Sequence, residues 1–293
     1  MLCSNPFQRG SLVFGCGQCL PCRINRKRLW TLRMQLEALN HGDNCFVTLT
    51  YSNDYLPVTD SDVPRGTLEP AHPRNWLKRL RKRLGEKKLR YYLVGEYGDQ
   101  TQRPHYHVLL FGLGQHHSHV ISDSWGFGNV VVGTVTPSSC AYVAGYVTKK
   151  MTRKDDPRLD GRYPEFARMS LRPGIGAYSL DPLLEPLFTD HGSQFLIDNR
   201  DVPVVVKIGG RDMPLGRYLR KKMREQVGMG NVDWGKTLHG EQWLANLELQ
   251  RLELAEKYEG KGLTYHAQLI HHNSSRIEVL ERRFKCYKKR VIL

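Results

Sequence analysis

His105 and His107 are separated by one residue within Arg103-Pro104-His105-Tyr106-His107-Val108-Leu109-Leu110-Phe111, whose aromatic and β-branched content reads as a strand from Pro104 to Phe111. Strand side chains alternate faces, so both imidazoles leave one face and can reach a single divalent ion. Upstream, Leu89–Tyr97 reads as the antiparallel partner, joined through Gly98-Asp99-Gln100-Thr101-Gln102-Arg103, and this hairpin puts Glu96 roughly opposite the histidines. Two imidazoles, one carboxylate and open coordination positions suit Mg²⁺ or Mn²⁺ on a phosphate oxygen, Mn²⁺ tolerating the nitrogen ligands better. The competing reading is a packed histidine pair, although burying two imidazoles beside an apolar run is costly without partners. His117-Ser118-His119 repeats the spacing without a flanking β run, so His116, His117 and His119 are expected at the surface.

A second set follows in Ala141-Tyr142-Val143-Ala144-Gly145-Tyr146-Val147-Thr148-Lys149-Lys150, inside a helix expected over about Ser138–Met151. Tyr142 and Tyr146 lie one turn apart on one face, and Lys149 stays on that side. A stripe of packed tyrosines with hydroxyls at the rim is the plain reading of that spacing. Two phenols and an ammonium following a His/His/Glu set favour chemistry instead.

Cys16-Gly17-Gln18-Cys19-Leu20-Pro21-Cys22 forms a knuckle in which tight turns can aim consecutive thiolates at one ion, and Cys3 is the natural fourth ligand of a structural Zn²⁺. Free thiols in a reducing compartment remain the alternative, and an odd count of 7 cysteines argues against a disulfide framework.

These groups need positioning elements. Arg23–Asn40 reads as a helix with Ile24, Leu29, Leu32, Leu36 and Leu39 inward. Cys45–Tyr51 reads as a strand, Asn75–Leu84 as a helix and Asn129–Thr136 as another strand. Strand, helix, hairpin, strand and helix in that order predict an α+β fold, a central antiparallel sheet backed by helices. The segment 152–186 is rich in Pro and Gly and reads as a linker. Beyond it, Val202–Ile208 reads as a strand, while Leu215–Val227, Glu241–Tyr258 and Tyr265–Lys285 make a mostly helical C-terminal region. The expected division is therefore 1–44 for the Cys knuckle and basic helix, 45–151 for the catalytic domain, 152–186 for the linker and 187–293 for the C-terminal region.

The 293 residues carry 44 Lys+Arg against 29 Asp+Glu, a net charge of +15, and such an excess points to a polyanion such as nucleic acid. Arg23, Arg26, Lys27, Lys78, Arg81, Lys82 and Arg103 are the expected DNA contacts. No run of roughly 18 apolar residues suggests a membrane span, and Met1–Gly10 lacks the pattern of a secretory signal, so a soluble intracellular protein is expected. No phosphate-binding G-x-x-x-x-G-K-[ST] motif of an ATPase occurs.

Phe46-Val47-Thr48-Leu49-Thr50-Tyr51, then Arg103-Pro104-His105-Tyr106-His107, then Tyr142-x-x-x-Tyr146-x-x-Lys149 resemble, in order, the three motifs of the HUH-type rolling-circle replication initiators. The paired tyrosines resemble the initiators of microviruses, small single-stranded DNA bacteriophages, and the cysteine knuckle resembles their gokushovirus-like branch. The likeness is specific through residue 151 and vague afterwards. It implies an HUH endonuclease-like fold and a metal-dependent nickase and strand transferase. In that chemistry a tyrosine attacks a DNA phosphodiester, forms a 5′-phosphotyrosine and frees a 3′-OH primer. It further implies Tyr146 as first nucleophile, Tyr142 as its alternate, Lys149 beside the phosphate, origin DNA as substrate, host helicase and polymerase as partners, and the bacterial cytoplasm as the location. Two other readings are a related plasmid initiator or transposase, and a basic, zinc-stabilised protein that binds single strands without cleaving them.

Overall fold

A computed structural model describes residues 2–10, 12–146 and 155–291, with side chains through residue 286. In chain order the first elements are β1 (Phe7–Arg9), β2 (Leu12–Phe14), α1 (Leu20–Leu39), β3 (Asn44–Thr50), α2 (Ala71–Leu84), β4 (Arg90–Tyr97), β5 (Pro104–Phe111), α3 (Ser118–Trp125), β6 (Val130–Thr134), α4 (Pro137–Tyr146) and β7 (Phe166–Met169). They are followed by α5 (Asp181–Leu184), α6 (Asp190–Asn199), β8 (Val205–Ile208), β9 (Arg211–Pro214), α7 (Gly216–Gln226), α8 (Leu238–Lys257) and α9 (Tyr265–Val291). The chain divides into two compact units, Lys27–Asp181, and Met1–Arg26 together with Pro182–Leu293.

In the unit Lys27–Asp181 five antiparallel strands lie in the order β6-β3-β5-β4-β7. The central strands read as nearly continuous apolar runs because both faces are covered. On one face Val47, Leu49, Tyr106, Val108 and Leu110 pack against Trp76, Leu77 and Leu80 of α2 and Ile121 and Trp125 of α3. On the other, Tyr92, Val94, Leu109 and Phe111 meet Met34 of α1 and Cys140, Val143 and Ala144 of α4. Each fully buried side chain of this kind contributes roughly 1.5–3 kcal/mol relative to exposure. The fold is thus α+β, and its helices cover both faces of the sheet.

Three departures from the sequence expectation have physical causes. α1 and α2 begin earlier than expected, at Leu20 and Ala71, because Pro21 and Pro73 fall in first turns, where a missing N–H costs nothing. Part of the segment 152–186 that reads as linker carries β7, an edge strand on β4. Phe-Ala-Arg-Met has little β propensity of its own, and its docking depends on Gly95, where a Cβ would stand 2.8 Å from the Phe166 ring. α3 also goes unseen in the sequence, since the histidine-rich stretch before it obscures a helix of eight residues. Residues 147–154, and Lys149 with them, lie outside the described residues.

In the unit formed by Met1–Arg26 and Pro182–Leu293, β1 pairs with β2, and β8 pairs with β9. Val13 of β2 joins Leu247, Leu254, Tyr258 and Leu269 of α8 and α9 in one core, and the Pro6 carbonyl meets His266 Nε2 at 2.5 Å. Buried Asp201 is held by Arg220 and by Arg224, whose Nε donates to Oδ1 at 2.6 Å. Among the described residues no helix is long and apolar enough to cross a membrane.

Candidate active site

Register builds the site. Glu96 of β4 stands opposite His105 of β5, and Thr48 of β3 stands opposite His107 from the other side. Phe46, Thr48, His105, His107 and Glu96 therefore share the sheet face that α4 covers. Glu96 and His107 are 5% and 7% exposed, and Oε1 of one lies 2.9 Å from Nε2 of the other. On the far side of the ring, Nδ1 lies 3.0 Å from the Thr48 hydroxyl. Thr48 can donate or accept there, so the imidazole can carry its proton on either nitrogen without losing that contact.

The two tyrosines of α4 descend onto this pair. The Tyr146 ring stacks on His107 at 5.2 Å and 10°, and Tyr142 meets His107 edge-on at 5.3 Å. Their own rings are 4.9 Å apart and nearly perpendicular, the i and i+4 geometry expected on one helix face. Phe46 stacks on His107 from β3 at 5.7 Å and touches Tyr142 edge-on. Tyr142 is half exposed, whereas Tyr146 is partly buried and hydrogen-bonds with the Glu96 carboxylate and the Tyr142 hydroxyl. Burial pushes the Tyr146 phenol far above its ordinary value, and the Glu96 charge and Tyr142 push it further. Burial likewise holds His105 below its ordinary value, which favours the neutral imidazole that binds metals.

The donor set of His105, His107 and Glu96 fits a hexacoordinate divalent ion in chemistry. The 2.9 Å between Nε2 and Oε1 also equals the separation of neighbouring ligands at bonds of about 2.1 Å. His105 is parallel to His107 with 6.4 Å between ring centres, so the set is more open at that ligand.

Cys3, Cys16, Cys19 and Cys22 make the compact cluster. Their four Sγ atoms lie within 4.8 Å of one another, the only such group of three or more metal-ligating side chains among the described residues. Cys19 and Cys22 Sγ are 3.7 and 3.8 Å from Cys3 Sγ. That is too long for a disulfide at about 2.05 Å and matches the edge of about 3.8 Å in a tetrahedron of thiolates about 2.3 Å from zinc. Gly17, at φ +73°, turns the knuckle in a conformation that a side chain would strain. The N–H groups of Gln18 and Cys19 donate to Cys16 Sγ at 3.4 and 3.3 Å, and that of Cys16 donates to Cys3 Sγ at 3.3 Å. Burial pushes the Cys22 thiol up to about 12. Against that same cost of burial, hydrogen bonds with Ser4 and Cys22 bring Cys19 down to about 6. This cluster could hold a metal such as zinc.

Of the expected DNA contacts, Lys78, Arg81 and Lys82 are exposed on α2. Lys27 is half-buried on α1 beside α4, its Nζ 3.7 Å from where a Cβ on Gly145 would stand. Arg103 turns inward and donates to the Tyr51 carbonyl at 2.7 Å. Arg26 lies against Gly17, and Arg23 is partly buried near Cys19 and Cys16. His116 and His119 are exposed, as expected, and His117 is partly so. Sequence reasoning treats the strand of Phe46 to Tyr51 only as a shaping element and misses Thr48 as a partner of His107. Alternation along β3 puts Thr48 on the face of Phe46 and Thr50, but only the pairing of β3 with β5 names the histidine it meets.

Residues 44–151 match the family model of the replication-associated protein ORF2. The chain is 30% identical to the replication-associated protein VP4 of Bdellovibrio phage phiMH2K over 276 residues, covering 84% of this chain and 76% of that protein. It is 36% identical to the replication-associated protein ORF2 of Spiroplasma virus 4 over 180 residues, 55% of either chain. With the replication-associated protein ORF4 of Chlamydia phage 1 it shares 32% identity over 162 residues, 48% of this chain and 39% of that one. No solved structure matches.

Proposed function

The chain belongs to the family of microvirus replication-associated proteins of the ORF2 type, and from that membership we propose that it initiates rolling-circle replication as an HUH-type single-strand endonuclease and strand transferase. The observation that carries this reading is the stacking of Tyr146 and Tyr142 on His107 beside Glu96, which gathers two nucleophiles and a cation-binding carboxylate at one point.

A phenol is a poor nucleophile at neutral pH, more so when buried against a carboxylate, so the site must supply both a proton acceptor and positive charge. The Glu96 carboxylate, in hydrogen-bond contact with Tyr146, is the acceptor in place. His105, His107 and Glu96 would hold Mg²⁺ or Mn²⁺, and such an ion would polarise the scissile phosphate and offset the Glu96 charge. Lys27 beside Gly145, with Lys149 in the same motif, adds cationic charge near the phenols. Tyr146 Oη then attacks phosphorus, the bond to O3′ breaks, and O3′ leaves with a proton as the 3′-OH while the 5′-phosphate stays on the tyrosine. The bond energy is conserved in the phosphotyrosine, so resealing by a 3′-OH needs no ATP. Tyr142 offers the second nucleophile for a regenerated origin while Tyr146 is still linked. The freed 3′-OH would be extended by a polymerase of the bacterial host, with a host helicase unwinding the duplex. Zn²⁺ in the Cys3, Cys16, Cys19 and Cys22 cluster would be structural, since four thiolates leave no open position for a substrate.

Substituting both Tyr142→Phe and Tyr146→Phe tests the nucleophile assignment. The variant should bind single-stranded origin DNA within about threefold of the parent and form no SDS-resistant adduct with it. Residual nicking by the double variant contradicts the assignment.

A further inference from the structure

A second feature of the unit Lys27–Asp181 has no place in the chemistry above. At the end of the sheet where β4 begins, a cavity of about 1150 Å³ opens between the turn after α2 and the segment that follows β7. It exceeds the roughly 300–1,000 Å³ of pockets that enclose compact small molecules, so an extended ligand fills it better. Its lining includes five Lys and Arg side chains, Arg81, Lys87, Lys88, Arg90 and Arg172, against the single carboxylate of Glu86. Arg90 is committed to buried Glu37 and to the Pro173 carbonyl at 2.8 Å, which makes it a fixed part of the wall. Lys88 and Arg172 are exposed.

Aromatic groups alternate with this charge. Arg81 lies 5.5 Å over the Tyr91 ring, and Arg90 lies 5.2 Å over the Tyr178 ring. Each guanidinium orients its ring, and Tyr178 is 52% exposed beside Leu171, which is 73% exposed. Cationic groups interleaved with open aromatic faces suit a phosphate backbone whose bases are unstacked, because every base presents a face for stacking. A duplex keeps its bases stacked within and offers those rings nothing.

We propose that this groove binds single-stranded DNA, phosphates against Lys88 and Arg172 and a base on Tyr178. The proposal rests on the DNA reading above and extends it to a second location. Six residues of β4 separate Arg90 from Glu96, about 20 Å along the strand, so the groove holds a stretch of strand away from the phosphodiester at the tyrosines.

Fluorescence anisotropy with a labelled single strand, and with a duplex of equal length, tests this on the full chain across a salt series. Lys88→Ala with Arg172→Ala should weaken single-strand binding at least tenfold at low salt and reduce the slope of log affinity against log salt by about 1.4, the value for two phosphate contacts on a single strand. Tyr178→Ala should weaken it about tenfold without changing that slope. All three side chains are exposed, so unchanged thermal melts are expected, and covalent adduct formation at saturating DNA should persist. Parent-like single-strand affinity and slope in both variants overturn the groove, as does an equal loss for duplex and single strand. Either result leaves the tyrosine chemistry standing, whereas a parent protein that binds no DNA removes the reading on which both depend.

Discussion

Thr48 illustrates how a single hydroxyl can govern a site it does not enter. It faces His107 Nδ1 at 3.0 Å, while Nε2 faces Glu96. When His107 binds a cation through Nε2, its proton must sit on Nδ1 and point to Thr48, which fixes tautomer and ring orientation together. Thr48→Val keeps the shape of the side chain and removes the acceptor. The Mn²⁺ concentration that half-saturates nicking should rise about 10- to 100-fold, with DNA affinity unchanged and with Thr48→Ser restoring the parent value. A Val variant that loses rate at saturating metal but keeps the parent's metal dependence assigns Thr48 to packing instead. At this scale the sequence is informative where chemistry is local. The spacings of His105 and His107, and of Tyr142 and Tyr146, follow from strand and helix periods. Thr48 and Lys27 are invisible in the same text, because each is brought to the site by pairing or packing with residues distant in the chain.

At the scale of elements, α4 and the cysteine knuckle carry opposite lessons. α4 is short and barely amphipathic, for it buries Cys140, Val143 and Ala144 while holding Tyr142 and Tyr146 at the sheet. Its tyrosines owe their position to packing more than to helix propensity. The knuckle is held by few apolar contacts of its own, and its sulfur geometry is that of a ligand shell. Cys3 precedes the β1–β2 pair and the other three cysteines follow it, so one bound ion closes this segment into a loop. We therefore expect one equivalent of zinc per chain. Cys3→Ser should lower the occupancy at least tenfold and release the β1–β2 segment to proteolysis, with Co²⁺ substitution giving thiolate charge-transfer bands in the parent alone. Metal-free parent protein with four titratable thiols and the same proteolytic pattern would contradict a zinc site. The α+β order of strand, helix, hairpin, strand and helix is legible because those elements are long or strongly patterned. β7 and α3 are not, since one depends on Gly95 and the other lies behind a polar histidine run.

For the whole molecule, the charge of +15 has an outlet in two kinds of place, the exposed cations of α2 and the basic groove at the start of β4. Composition alone indicates a polyanionic partner but cannot locate it. The division of the chain is harder still to read, because Met1–Arg26 belongs with Pro182–Leu293, and such a long-range association leaves no local pattern. The central claim nonetheless concerns one bond, between a tyrosine oxygen and a DNA phosphate. Intact protein should be incubated with single-stranded origin DNA and Mn²⁺, digested, and its nucleotide-linked peptides sequenced by tandem mass spectrometry. A metal-dependent phosphodiester link on Tyr146 or Tyr142 is the expected result. A link on any other residue, or tight binding with no link across a panel of origins with either metal, would contradict it.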